Sequence, residues 1–356
     1  MADSPPEMGE AASRLGVPGS VASINDYFHE QGWTDGLPII PPTEDLVLEM
    51  LEASPLPGKQ VLGVFPPLNG TATVEKTAIN SVMAGCSPDY FPVVLAAVKA
   101  VLQPQFNVGS ITATTGGAAP VVIVSGPVAK TLGIHGGTAV FGSSHRANAT
   151  IGRALRLTMR YLGGATAETM EKSTQGWPGK YTMCFSENQE ANPWEPLHVD
   201  LGYPSTASTV TVVGARGITT VAEDTEKRGE GILDTLISSM RSTRISGYSY
   251  QGRGASPVVV LGPQHAHEIA ADGFSRKDVR EYIFQNARLP LGEIKGRGHY
   301  GARSWPQEFE EQSDDFMVPL VLDPGEVILV VSGGDGGHSS WFPAWSATQR
   351  ATEIIG

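Results

Sequence analysis

Cysteine is scarce in this chain of 356 residues: Cys86 and Cys184 are the only two. Two such residues build no disulfide framework, and a reducing compartment is expected. Long apolar runs are missing as well. No stretch reaches the roughly 18 apolar residues that a membrane-spanning helix needs, so no membrane association is expected. The first residues carry Asp3, Glu7 and Glu10 rather than a basic stretch followed by an apolar one, which speaks against a secretory signal and for a cytoplasmic protein. Basic residues are outnumbered, 25 Lys and Arg against 37 Asp and Glu, for a net charge of −12. That balance argues against nucleic acid as a partner. Among the eight histidines there is neither His-x-x-x-His nor His-Glu-x-x-His, so a metal site is not indicated.

What remains is a chain long enough to bury a substantial core without staples, rich in tight connections through 42 glycines and 26 prolines. Its charge is uneven. Residues 126–180 hold seven basic side chains (Lys130, Arg146, Arg153, Arg156, Arg160, Lys172, Lys180) against Glu168 and Glu171, a local +5 within −12. A small anionic substrate accounts for this economically; a solvated face paired with carboxylates from elsewhere is the plainer alternative.

Apolar, β-branched runs ending in Gly-Pro occur twice, at 120–127 and 257–263, each followed by a helical pattern. Two further strands are read at 209–214 and 327–334. This predicts an α/β fold, bilobal, with two related strand–helix lobes and a helical N-terminal portion. The expected divisions are a disordered tail over 1–21, an N-terminal lobe over 22–220 and a C-terminal lobe over 221–356. Ligands of open α/β sheets gather at the carboxyl ends of strands, which places a pocket between the lobes.

The stretch Met83-Ala84-Gly85-Cys86-Ser87-Pro88-Asp89-Tyr90 reads as an elbow between helices over 73–83 and 87–102. Gly85 suits a left-handed helix end, and Ser87, Pro88 and Asp89 suit a helix start. A thiol just before a helix N-terminus can be activated; a small residue at a tight corner is the alternative. A second start is read at Ser143-Ser144-His145-Arg146-Ala147-Asn148, where amides, Ser144, Arg146 and Asn148 can hold an anion. Residues 141–153 match neither the dinucleotide nor the Walker spacing, and no cofactor is expected. Arg153 joins the substrate-binding candidates. Asp35, in the stiff turn Gly32-Trp33-Thr34-Asp35-Gly36-Leu37-Pro38, is a candidate base or an Asx-turn residue. Glu187, near Glu190 and Trp194, is a candidate acid or base if desolvated, and His145 is a further catalytic candidate. His265, Asp335 and His338 lie at corresponding strand ends, the last two in the run Ser332-Gly333-Gly334-Asp335-Gly336-Gly337-His338.

The blocks Gly32-Trp-Thr-Asp-Gly-Leu-Pro, Met83-Ala-Gly-Cys-Ser-Pro-Asp-Tyr-Phe-Pro-Val-Val, Arg146-Ala-Asn-Ala-Thr-Ile-Gly-Arg-Ala-Leu-Arg, Pro178-Gly-Lys-Tyr, Trp194-Glu-Pro-Leu-His and Gly333-Gly-Asp-Gly-Gly-His-Ser resemble those of a bacterial family of conserved hypothetical proteins associated with UGSC-type (seleno)proteins. A more distant resemblance is to the paired subunits that close aziridine rings by expelling sulfate. The resemblance implies a soluble bacterial enzyme and carries no catalytic residue over to this chain. Together these features point to a cofactor-independent, lyase-like enzyme acting on a small anionic metabolite in a biosynthetic setting, by elimination or displacement of a leaving group. A thiol-redox protein using Cys86 and a noncatalytic small-anion binder are the alternatives, and self-association is left open.

Overall fold

The computed structural model describes residues 12–167, 169–243, 255–295, 307–345 and 347–356. In chain order, α1 (Val21–Glu30) and α2 (Glu44–Glu52) precede a hairpin of β1 (Val61–Phe65) and β2 (Gly70–Thr73). Then come α3 (Val74–Ala84), α4 (Phe91–Leu102) and α5 (Val108–Ala113). The central part holds β3 (Ala119–Ser125), α6 (Pro127–Thr131), α7 (Arg146–Gly163), β4 (Cys184–Ser186), α8 (Leu197–Asp200) and β5 (Thr209–Ala215). It is followed by β6 (Thr219–Ala222), α9 (Gly229–Ser242), β7 (Val258–Leu261), α10 (Pro263–Ala271) and α11 (Arg276–Asn286). The chain closes with β8 (Arg288–Pro290) paired to β9 (Met317–Pro319), then β10 (Ile328–Val331), β11 (His338–Phe342) and β12 (Ala351–Ile354).

Two four-stranded sheets form the centre, ordered β12-β5-β3-β4 and β10-β7-β11-β6. Both have the same pattern of directions. β4 runs parallel to β3, β3 antiparallel to β5 and β5 antiparallel to β12; likewise β10 is parallel to β7, β7 antiparallel to β11 and β11 antiparallel to β6. The second sheet is built from consecutive chain, 219–342, whereas the first takes its edge strand β12 from the C-terminal end. β6 follows β5 yet closes the second sheet, and β12 follows β11 yet closes the first. A cut near residue 220 would therefore strip β5 of one of its two partners, β12.

Alternation along the strands explains the layering, since successive side chains point to opposite faces. Val121 and Ile123 of β3 pack with Val258 and Val260 of β7, Ile328 and Val330 of β10, and Phe342 of β11 in one core between the sheets. The odd-and-even partners, Val122, Val124, Val210 and Val212, face α3, α4 and α7 on the outside. Val259, Leu261, Leu329 and Trp341 face α9, α10 and α11. The result is four layers, helix–sheet–sheet–helix. An open cleft between the lobes is not what these residues make: both inner faces are apolar, so bringing them together removes them from water, and the sheets close on each other.

Local signals were read well where a cap or a turn dictates the backbone. α3 starts at Thr73, whose hydroxyl accepts from the Lys76 amide, and ends at Gly85 in the left-handed region, φ 87°. Ser275 and Asp278 form a reciprocal capping box at α11. Another expectation needs correction. The helix expected over 87–102 opens with a single 3₁₀ turn, Pro88–Tyr90, before α4. No single helix among the described residues is long and apolar enough to cross a membrane. Of the tail expected over 1–21, residues 1–11 lie outside the described residues.

Candidate functional site

α7 is the element that gathers the polar chemistry. Ser144 precedes it in the left-handed region, φ 88°, and His145 is extended and caps the helix without a side-chain hydrogen bond. The first-turn amides of an 18-residue helix thus carry no side-chain cap, at the positive end of its dipole. Arg146, the first helical residue, donates through Nε to the carbonyl oxygen of Gly85 at 3.0 Å. This bond ties the helix start to the elbow.

The thiol at that elbow is not activated. Cys86 is only 7% exposed and belongs to the apolar core beneath α3, α4 and α7. Burial pushes its pKa from 9.0 up to about 12, against the opposing pull of the Thr150 hydroxyl, Arg146 and Arg153. Cys184 is buried too and likewise raised. Because the folded value of Cys86 exceeds the unfolded one, its stabilising contribution is complete below about pH 9 and declines as pH rises towards 12. Iodoacetamide at neutral pH is therefore expected to leave Cys86 unmodified in the native protein and to label it on unfolding, followed by intact mass; rapid native labelling would contradict a neutral, sealed thiol.

The other carboxylate candidates are similarly engaged. Asp35 receives Arg153 Nε and Nη2 at 2.8 Å each, while the Leu37 amide closes an Asx turn onto its Oδ1 at 3.2 Å. Arg153 also donates to the carbonyl oxygen of Pro38 at 2.9 Å. These two residues anchor the 33–38 turn to α7. Glu187 is buried, with donors at both oxygens: Asn192 Nδ2 at 2.8 Å and Arg276 Nη2 at 3.3 Å on Oε1, the Leu197 amide and Ser125 Oγ at 2.8 Å on Oε2. Burial raises its pKa above the ordinary carboxylate value; Arg276 and the Leu197 amide oppose that rise. Ser125 Oγ also lies 2.8 Å from His198 Nδ1. The hydroxyl stands between carboxylate and imidazole, whereas a nucleophilic triad needs the imidazole in the middle. This network joins the sheets: the amide of Asn188 donates to Val331 O, and Ser332 Oγ to Ser186 O.

His145 is placed differently. Its ring stacks on His135, with centroids 3.5 Å apart and planes 7° from parallel. His135 Nε2 lies 2.8 Å from the carbonyl oxygen of Thr138, and Asn148 clamps the His135 backbone, accepting from its amide and donating to its carbonyl oxygen. The His145 ring has no hydrogen-bond partner among the described residues. Arg146 has no carboxylate partner among them either, unlike Arg153, Lys180 and Lys130, which pair with Asp35, Glu171 and Glu190. Ser144 and Arg146 are exposed.

The glycine-rich loop reaches the same region from the second sheet. The Gly333 amide donates to Gly136 O at 2.8 Å, and a Cβ on Gly334 would lie 2.3 Å from Thr138 Oγ1. Gly136 itself is forced by a close approach, since a Cβ there would come within 2.5 Å of Ser186 O. Asp335 and His338 are exposed. His265 is not part of this surface. It is buried, with Nδ1 2.8 Å from Ser339 Oγ and Nε2 2.9 Å from Glu223 O, so both ring nitrogens are used beside the second sheet.

Thus the structure brings Ser144, His145, Arg146 and Asn148 together with the elbow backbone on one side and, through His135–Thr138, with Gly333 and Gly334 on the other. Glu187 and His265 stay buried in separate networks. Sequence reasoning missed His135, Ser125, His198 and Arg276. The Gly136-Gly137 pair after His135 was the available signal; nothing local marks Arg276. Among the described residues no three His, Cys, Asp or Glu side chains converge as metal ligands would. No protein-family model matches the chain, and no curated protein matches it in sequence.

Proposed function

We propose that the start of α7 binds a small anion and that the protein is a lyase-like enzyme expelling an anionic leaving group, with His145 as the proton-transfer group. The observation that carries this reading is the juxtaposition of a guanidinium without a carboxylate and an imidazole without a hydrogen bond, on consecutive residues at an uncapped helix start. Arg146 spends Nε on Gly85 O, leaving its terminal N–H groups for a sulfate, phosphate or carboxylate. In an elimination His145 takes the proton from the carbon beside the one that bears the leaving group. The C–H electrons form the new bond, and the leaving group departs with its bonding pair into the Arg146 and helix-amide donors. His145 then returns its proton to solvent. The neutral, buried thiol supports His145 over Cys86 as the base and weighs against a thiol-redox role.

Titration calorimetry with sulfate and phosphate at low ionic strength tests the anion site. Arg146→Ala is expected to weaken binding roughly tenfold to a hundredfold, as loss of a charge-assisted hydrogen bond does. His145→Gln is expected to retain the anion yet lose release of sulfate or phosphate from β-substituted carboxylates. Equal anion affinity in wild type and Arg146→Ala would overturn the site; binding without any leaving-group release would favour the noncatalytic anion binder.

A further inference from the structure

A cavity of about 430 Å³ opens where the start of β12 meets the 3₁₀ turn Pro324–Glu326 and the segment that leads into β7. Arg350, Glu326, Ser256, Tyr203 and Gln105 are in its wall. Its size suits a small molecule, but the wall is polar: Leu201 is the only aliphatic residue among the described residues that line it. Hydrogen bonds hold this wall in place. Ser256 is 4% exposed, and its Oγ accepts from the Arg350 amide at 3.1 Å. Arg350 Nη1 donates to Gly325 O at 2.9 Å, and Glu326 Oε2 accepts from the Leu322 amide at 2.8 Å and the Asp323 amide at 3.3 Å.

Glu326 and Arg350 are the two charged residues of the wall among those described, and both are half-buried. Burial raises the pKa of Glu326 and lowers that of Arg350, and each charge opposes the other's shift. Yet neither forms an ion pair with the other or with any described residue. Arg280 and Asp200, the next charges along, are paired with each other. Glu326 Oε1 and Arg350 Nε and Nη2 thus have no hydrogen-bond partner among the described residues, and solvent reaches them rather than being sealed out. A partly desolvated charge without a partner is costly. Two opposite charges in one small polar cavity, facing it without pairing, are both compensated by one molecule that carries opposite charges in turn.

We infer that this cavity binds a small zwitterion of the α-amino acid type, with its carboxylate on Arg350 Nε and Nη2 and its ammonium on Glu326 Oε1. The Nε–Nη2 edge of a guanidinium suits a carboxylate bidentately. A lone anion or a lone cation would compensate one wall charge and strand the other, and a wall whose charges sum to zero favours a ligand whose charges do so too. The site is separate from the anion-binding surface at α7. Ser256 and Glu326 precede the parallel strands β7 and β10, whereas the Gly333–Gly334 loop follows β10, so the length of the strands stands between the two places.

Thermal unfolding of the full chain is followed with each proteinogenic amino acid of uncharged side chain at millimolar concentration, and the most stabilising one is titrated by calorimetry. Saturable binding is expected. Its N-acetyl derivative, which lacks the ammonium, and its primary amide, which lacks the carboxylate, should each bind roughly tenfold to a hundredfold more weakly, the worth of one charge-assisted hydrogen bond. Arg350→Gln should weaken the amino acid by a similar factor and leave the amide unchanged. Glu326→Gln should weaken the amino acid and leave the N-acetyl derivative unchanged. Gln105→Trp, at an exposed position of the wall, should block binding by filling the space, and it carries the comparison if a charge variant fails to fold. Arg146→Ala should change none of these readings. No saturable binding by any amino acid, equal affinity for the three forms of the ligand, or affinity kept in the folded variants would overturn the inference, leaving a cavity satisfied by water.

Discussion

Arg276→Met is expected to lower the unfolding free energy by about 3–5 kcal/mol at neutral pH, because it leaves a buried carboxylate without its counter-charge. Arg276 and Glu187 are almost completely enclosed, with side chains 6% and 0% exposed. Arg276 also donates to the carbonyl oxygens of Glu195 and Leu329, so three acceptors lose a charged donor on substitution. The cost should depend on pH in a definite direction. Burial already raises the folded pKa of Glu187 above its unfolded value. The stability that this group contributes is thus full below the ordinary carboxylate pKa and lost as pH rises through the folded one. Removing Arg276 takes away a lowering influence and moves the folded value higher still. Urea melts should show a small deficit in acid buffer and a large one at neutral pH. Glu187→Gln combined with Arg276→Met should recover much of it, since the uncompensated charge is gone. A deficit that is small at both pH values would mean the pair is not the buried charge centre described above.

Phe342→Ala is expected to cost about 3–5 kcal/mol, in the range of buried Phe truncations. The ring is fully buried between the two sheets. It meets Phe141 edge-on at 5.4 Å and lies 6.3 Å from the ring of Phe185, nearly parallel to it. Phe342 comes from β11 of the second sheet and Phe185 from β4 of the first, so the cavity opens in a core common to both. Because the first sheet also takes β12 from the C-terminal end of the chain, the destabilised protein should still unfold in a single transition. Coincident denaturation curves from near-UV circular dichroism and from hydrogen exchange in both sheets would bear this out. Loss of the second sheet alone, with the first intact, would show that the halves are separable after all.

Much of the local architecture was legible in the residues. Gly85 ends a helix because it alone there takes the left-handed conformation without strain, and Ser275 with Asp278 opens one by satisfying orphan amides. The β-branched runs before the two Gly-Pro pairs could hardly be anything but buried strands. Ser143 and Ser144 misled as a cap, since the helix begins beyond them at His145. The candidate site was legible in outline. The run 144–148, the elbow carbonyl and the glycine loop do approach one another. The roles of individual residues were not, because each depended on a partner far along the chain. Cys86 reads as a reactive thiol from its neighbours in sequence, but the core that α3, α4 and α7 close around it decides its ionisation. Asp35 reads as a base until Arg153, 118 residues away, occupies both oxygens.

The sequence by itself determined the fold class, most helix and strand positions and the basic, glycine-rich segments where anion chemistry can occur. These follow from side-chain periodicity, capping and turn preferences, which act over a few residues. Only the tertiary structure decided that β12 returns to the first sheet and that the two sheets share one core. It also decided that His265 and Glu187 are buried with their polar atoms engaged, while among the described residues His145 finds no hydrogen bond and Arg146 no carboxylate. Register, burial and partner choice are set by contacts between residues a hundred or more positions apart, and desolvation, which governs every shifted pKa here, belongs to the packed assembly rather than to any segment.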